Sequence, residues 1–319
     1  MAPNRLILDT DGGVDDAQAL LLLIAAGRAP DVITTVFGNV SLDTATRNVL
    51  ATLAVAGATI PVHTGAAQPL AQEWVHAHHV HGEDGLGGAP RPARIADIAG
   101  SDAVGFLVAT LSAAAATADP VDLLMIGPLT NLAMALQRAP GITGGIGRLT
   151  IMGGTVHGRG NVTPAAEFNI FSDPEAAAIV LGAAVDTTVV PWEPCLTHVL
   201  MGDEIDRLFE PVADSDYKAF ALALIQHERK RHIRTGQGDC FFFIDPLAAA
   251  VVVESAMVTR SLRASLAVSL APGVTRGMTV VDPSGRLGTP VVTLVEEVRL
   301  DRLAALYAAS VAYSPRLLQ

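Results

Sequence analysis

Short apolar runs alternate with helical patterns through the first 190 residues of this 319-residue chain, and that alternation leaves few folds open. Arg5–Asp9, Val32–Phe37, Asp122–Ile126, Leu149–Met152 and Thr187–Val190 read as buried strands, each a brief apolar run. Between them Asp15–Ala26, Leu42–Ala56, Asp102–Ala115, Leu129–Leu136 and Pro174–Gly182 read as helices. Repeats of this kind build a mostly parallel sheet covered on both faces, so the predicted class is α/β with an open, Rossmann-like sheet. After Pro191 the pattern changes. Helical Asp203–Phe209, Asp216–Ile233, Pro246–Val253 and Leu300 to Val311 are interleaved with strand-like Leu262–Leu270, Met278–Val281 and Val291–Val295, a C-terminal α/β elaboration. No low-complexity linker separates the halves and no solenoid repeat runs through them, so residues 1–319 are expected to form one domain.

Composition narrows the partners. Half the residues are hydrophobic but only 4% are aromatic, so the core is mainly Ala, Val, Leu and Ile. A net charge of −11 repels phosphate backbones and anionic lipid alike, which excludes nucleic acid and membrane as expected partners. Mean hydropathy is +0.41, yet no run reaches the roughly 20 apolar residues of a spanning helix. The uncharged stretch Val104–Ala118 is broken by Thr110, Ser112 and Thr117. Leu6–Leu8 enters a strand almost at once, leaving no room for an export signal, and Cys195 and Cys240 are too few for a disulfide framework. The cytoplasm is the expected compartment.

The chemistry is concentrated where strands are expected to end. Asp9-Thr10-Asp11-Gly12-Gly13-Val14-Asp15-Asp16 packs four carboxylates between the first strand and the first helix. Like charges this close raise one another's pKa unless a cation sits among them, and hard cations that prefer oxygen, Ca²⁺ or Mg²⁺, answer that need. Asp15 and Asp16 could instead serve only to complement a helix dipole, but that leaves Asp9 and Asp11 unexplained. Asn161, Glu167 and Asn169 form a second cluster, suited to neutral sugar hydroxyls or to ordinary loop bonding. Asn39 and Thr130 complete the rim of the sheet's carboxyl edge. Asp245-Pro246 reads either as a helix cap or as a late carboxylate closing a metal site. His76-Ala-His78-His79-Val-His81 lies in a long irregular stretch, Gly65 to Gly100; it reads as a solvated loop or a substrate-facing one, with zinc disfavoured for want of Cys nearby.

These residues resemble those of the nucleoside hydrolases. Asp9-Thr-Asp11-Gly-Gly-Val-Asp15-Asp16 is similar to that family's DTDPGxDD signature, with Gly12 in place of Pro. The likeness continues through Val36-Phe-Gly-Asn39, His81-Gly-Glu-Asp-Gly85, Gly127-Pro-Leu-Thr130-Asn131, Met152-Gly-Gly, Asn161 to Asn169 with Asp173-Pro-Glu, Thr197-His198 and Asp245-Pro246, covering residues 5 to 250. The resemblance implies the nucleoside hydrolase fold and hydrolysis of a ribonucleoside's N-glycosidic bond, with one Ca²⁺ as cofactor. By the same resemblance Asp11, Asp16, the Thr130 carbonyl and Asp245 hold the ion, and Asp11 deprotonates the attacking water. Asp15, Asn161, Glu167 and Asn169 bind the ribose hydroxyls, Asn39 and Met152 line the pocket, and His81 faces the substrate. A homodimer or homotetramer is also implied.

One position departs from the pattern. Many relatives carry a His just before the last metal-binding Asp, where it protonates the departing base; here that residue is Ile244, which has no proton to give. Either His81, His227 or His232 replaces it, or aromatic stacking and solvent activate the leaving group, or the substrate needs little help. Two rival readings follow: a degenerate nucleoside or ribose binder, and a haloacid-dehalogenase-type phosphatase with Asp9 as nucleophile. The phosphatase needs a cation for the phosphoryl group, and the two lysines, Lys218 and Lys230, both fall in the late long helix.

Overall fold

In the computed structural model, which describes residues 3–315, the first apolar run forms β1 (Arg5–Thr10) with five consecutive buried residues. Residues 1–2 and 316–319, the ends of the expected domain, lie outside the described residues. The remaining strands are β2 (Val32–Thr35), β3 (Val62–Thr64), β4 (Val121–Met125), β5 (Ile146–Met152), β6 (Thr187–Val190), β7 (Val199–Met201), β8 (Cys240–Phe242), β9 (Val258–Val268), β10 (Thr279–Asp282) and β11 (Val291–Val298). Nine of them make one open sheet in the order β10-β9-β11-β6-β5-β4-β1-β2-β3, while β7 and β8 pair separately. From β3 across to β11 every pairing is parallel; β9 runs antiparallel to β11 and β10.

Both faces of the parallel part of this sheet, β1 to β6, are largely buried, which is why these strands read as apolar runs rather than alternating ones. Leu6 and Leu8 of β1 pack into one core with helices Val14–Ala25, Leu42–Val55, Asp216–Arg234, Asp245–Val253 and Leu300–Val311. Ile7 faces the other way, into a core with helices Ala103–Thr117, Thr130–Arg138 and Pro174–Leu181. No helix among the described residues is long and apolar enough to cross a membrane.

The chain steps outward from β1 to β2 and β3, then returns to lay β4 on the opposite side of β1. Connections leaving neighbouring parallel strands in opposite directions open a crevice at their carboxyl ends, and this switch point is where the acidic turn after β1 lies. The expected Val32–Phe37 strand stops at Thr35, because the chain turns at Val36 to Asn39 and brings Asn39 into the lining of that crevice. The three-residue β3 and the β7–β8 pair are too short to leave a periodic signal.

Candidate active site

After Thr10 the backbone turns sharply. Gly12 has φ of +69°, and a Cβ there would lie 2.6 Å from the Ala45 backbone, so glycine is required. The helix then starts at Val14, and Asp16 in its first turn accepts hydrogen bonds from the N–H groups of Gly13 (2.8 Å) and Asp11 (3.2 Å) and from the Thr10 hydroxyl. Asp11 is fully buried. Its Oδ2 accepts from the Asn39 backbone N–H at 2.7 Å and its Oδ1 from the Asn39 amide at 2.9 Å. This approach requires Gly38, where a Cβ would sit 1.9 Å from Asp11 Oδ2.

Asp245 arrives from far along the chain. It is the first residue of helix Asp245–Val253, and the cap position is taken by Ile244, so its carboxylate is not spent on capping. Oxygens of Asp15, Asp16 and Asp245 all lie within 4.8 Å of one another in buried surroundings. Burial pushes the Asp15 carboxyl up to about 6. Burial and then the neighbouring carboxylates also hold Asp11, Asp16 and Asp245 above the usual range. Asp15 Oδ1 is buried with no hydrogen-bond partner. Uncompensated buried carboxylates converging on one point are a donor set for a hard divalent cation.

Above this floor opens a cavity of about 350 Å³, lined by Asp15, Asn39, His81, Met152, Asn161, Glu167, Asn169 and Asp245 among the residues expected from sequence. Asp11, Asp16 and Thr130 are buried outside that lining; the Thr130 hydroxyl donates to Asp173 at 2.7 Å. Glu167 is fixed by three backbone donors, Asn169 N–H (2.8 Å), Gly154 N–H (2.9 Å) and Ile170 N–H (3.2 Å), yet burial still pushes it up to about 7. The Asn169 amide donates to the carbonyls of Met152 and Ile126 at the ends of β5 and β4, and Asn161 accepts from Phe168 N–H.

The histidines separate clearly. His78–His81 forms one helical turn within the irregular stretch; His76 and His79 are exposed, whereas His81 is buried in the cavity wall. Its Nδ1 accepts the Val14 N–H at 3.1 Å, so its proton resides on Nε2, and burial pushes its pKa down to about 3. His227 bonds the Val80 carbonyl, and His232 is fully buried between Cys240 and Arg231. Neither is among the residues that line the cavity. His198 is held between Pro194 and Val298.

Trp192, Arg231, Gln237 and Phe242 also line the cavity and were not singled out in the sequence. Arg231 falls in Arg229-Lys-Arg-His-Ile-Arg234, which reads as a basic helix end in solvent. Trp192 carried one signal: it follows Pro191 directly after β6, at the sheet's carboxyl edge. The lining includes one arginine and no lysine, and Lys218 is tied to Val212 and Asp214, so the phosphatase reading lacks its cation.

The pattern of the inosine-uridine preferring nucleoside hydrolase family matches residues 6–305. The non-specific ribonucleoside hydrolase RihC of Salmonella enteritidis PT4 is 36% identical over 290 residues, covering 91% of each chain. Among solved structures, the plant nucleoside hydrolase PpNRh1 superposes with a TM-score of 0.88 at 29% identity, covering 98% of this chain and all of the other. A purine-preferring ribonucleoside hydrolase from Gardnerella vaginalis gives 0.86 at 27% identity, over 97% and 98% of the two chains.

Proposed function

The chain belongs to the inosine-uridine preferring nucleoside hydrolase family, and on that premise we propose that it hydrolyses the N-glycosidic bond of ribonucleosides to ribose and free base with the help of Ca²⁺. The observation that carries this is the convergence of Asp15, Asp16 and Asp245 at the floor of a cavity whose wall holds Glu167, Asn161 and Asn169. In this reading Asp11, Asp16, the Thr130 carbonyl and Asp245 hold the ion, with Asp15 in reach of the same point. Such an ion supplies Lewis acidity to a nearby water and a grip on vicinal hydroxyls.

The residues of the chain divide the rest of the work. Asp11 takes the proton of the attacking water; the two bonds from Asn39 hold its carboxylate in one orientation. Asp15, Asn161, Glu167 and Asn169 bind the ribose hydroxyls, and Asn39, Met152 and His81 shape the pocket around the sugar. Departure of the base leaves oxocarbenium-like positive charge on the ribose, which buried carboxylates beneath it stabilise. Contacts that tighten as the ring flattens raise the rate rather than the affinity alone.

The reading extends to the whole protein. Residues 1–319 act as one domain, since the late strands β9 to β11 extend the same sheet. The two cysteines are buried and unpaired, which fits the cytoplasm. A homodimer or homotetramer is inherited from the family resemblance and is checked by light scattering. The defining experiment is ribose release from a panel of purine and pyrimidine ribonucleosides, with chelator and then with Ca²⁺, Mg²⁺ or Zn²⁺ restored. Chelator-sensitive release recovered by Ca²⁺ is expected. Tight nucleoside binding with no release from any substrate would instead favour a degenerate binder.

A further inference from the structure

The cavity is electrically two-sided. Its floor is carboxylate, while among the described residues the only Lys or Arg in its lining is Arg231, in the last turn of helix Asp216–Arg234. Trp192, Gln237, Phe242 and Ile244 line the same cavity; Phe242 packs against the His232 ring with centroids 4.6 Å apart and the Gln237 N–H donates to the His232 carbonyl, so these two neighbour Arg231, and the aromatic lining suits a heterocyclic base. A sugar held over the acids would leave its base to the rest of this lining.

Arg231 is held in place from behind. His232 donates from Nδ1 to the Cys240 carbonyl at 2.8 Å, so its Nε2 is an acceptor and takes a bond from Arg231 Nη2 at 2.7 Å. That contact uses one of the guanidinium's five donors. Arg231 Nε is buried with no partner. One turn earlier, Glu228 is buried with neither carboxylate oxygen bonded, backing the guanidinium with an acidic group.

The departing base needs help from somewhere. Ile244 has no proton, His227 and His232 are not among the residues that line the cavity, and His81 stands over the acids, its Nδ1 3.6 Å from Asp15 Oδ1. Resting on the nucleoside hydrolase reading, we infer that Arg231 stabilises the leaving base as an anion, through charge-assisted hydrogen bonds to its carbonyl or ring-nitrogen acceptors. The C1′–N bond breaks with its electron pair passing to the base nitrogen. Water adds to C1′ and gives one proton to Asp11, and the base anion takes a proton from solvent. No side chain transfers a proton to the base. A guanidinium suits this task because it stays charged across the working pH range and presents planar donors to planar acceptors. Substrates whose bases form the more stable anions therefore turn over faster.

The test compares wild type with Arg231→Gln and Arg231→Lys on uridine, inosine and 4-nitrophenyl β-ribofuranoside, whose leaving group departs unaided. All assays use the Ca²⁺-loaded enzyme, and melting curves check the fold. Removing one well-placed donor to developing negative charge costs roughly 100-fold in kcat. That loss is expected for Arg231→Gln on both nucleosides, with KM changed only a few-fold and at least thirtyfold less loss on the nitrophenyl riboside. Arg231→Lys recovers part of it, and wild-type kcat shows no alkaline fall between pH 7 and 9. Equal loss on all three substrates, or none, overturns the inference while leaving the family activity intact. Wild type inert on all three overturns both.

Discussion

Asn39 grips both oxygens of the Asp11 carboxylate, its backbone N–H on Oδ2 at 2.7 Å and its side-chain amide on Oδ1 at 2.9 Å. Burial and the adjacent Asp16 push Asp11 toward its protonated form, and the Asn39 backbone bond is the chief pull the other way. A general base is useful only while ionised, so the β2 turn supplies both the orientation and part of the charge state of a residue from the β1 turn.

Asn39→Ala keeps the backbone bond and loses the amide one. A hydrogen bond to a buried charged group is worth about 1.5–3 kcal/mol, so kcat should fall roughly 10- to 100-fold. The variant should melt within a few degrees of wild type. Unchanged kcat at saturating nucleoside would mean that Asp11 is not the base.

Removing the divalent cation should destabilise the protein as well as silence it. The convergent carboxylates of Asp15, Asp16 and Asp245 repel one another when metal-free, and an ion that binds only the folded state adds about 2.7 kcal/mol at one hundred times its Kd. Thermal melts with chelator, then with Ca²⁺, should show a rise of several degrees. Asp245→Asn should raise the metal-free melting temperature and shrink the Ca²⁺-induced rise. Identical melts with and without chelator would sink the cation assignment.

Glu167 sets a pH dependence of stability with a definite sign. Burial raises its pKa from 4.5 to about 7 in the folded chain. The folded state therefore holds this proton more tightly than the unfolded one. The stability that follows, on the order of 3 kcal/mol, is fully present below pH 4.5 and lost as pH rises through 7. Denaturant titrations of chelated protein across that window should show wild type losing stability faster than Glu167→Gln. Parallel curves would mean that the three backbone N–H donors keep Glu167 ionised throughout.

Gly12→Pro restores the residue usual in the signature of the family and should nevertheless break this chain. Proline holds φ near −65°, whereas Gly12 sits at +69° with the Ala45 backbone 2.6 Å from a Cβ position. The Gly12 N–H also donates to Thr10 Oγ1 at 3.2 Å, a bond proline cannot make. A loss above about 3 kcal/mol is expected, read as a collapse in melting temperature or soluble yield. A variant with wild-type melting would mean that the turn after β1 can be rebuilt without cost.

Much of the molecule was legible because its signals are local. A strand buried on both faces must be a short apolar run, and polar residues just beyond such runs fall at the sheet's carboxyl edge. Asp9 to Asp16, Asn39 and Thr130 could therefore be assigned to one rim without knowing any contact. The alternation of elements determined the α/β class for the same reason. What lay beyond reach depended on packing between distant segments. Whether Asp245 caps its helix or faces Asp15 and Asp16 depended on how the Ile244 backbone enters that helix. Which crowded histidine is buried depended on the Val14 N–H waiting to bond it. Arg231 looked like a solvated charge because its helix carries several others; only docking that helix beside the sheet's switch point turned this one into the cavity wall. Local pattern determined the strands, the turn and the acidic rim, because each rests on neighbours in sequence. Tertiary structure alone decided which late side chains complete the pocket, because long-range burial, not propensity, selects them.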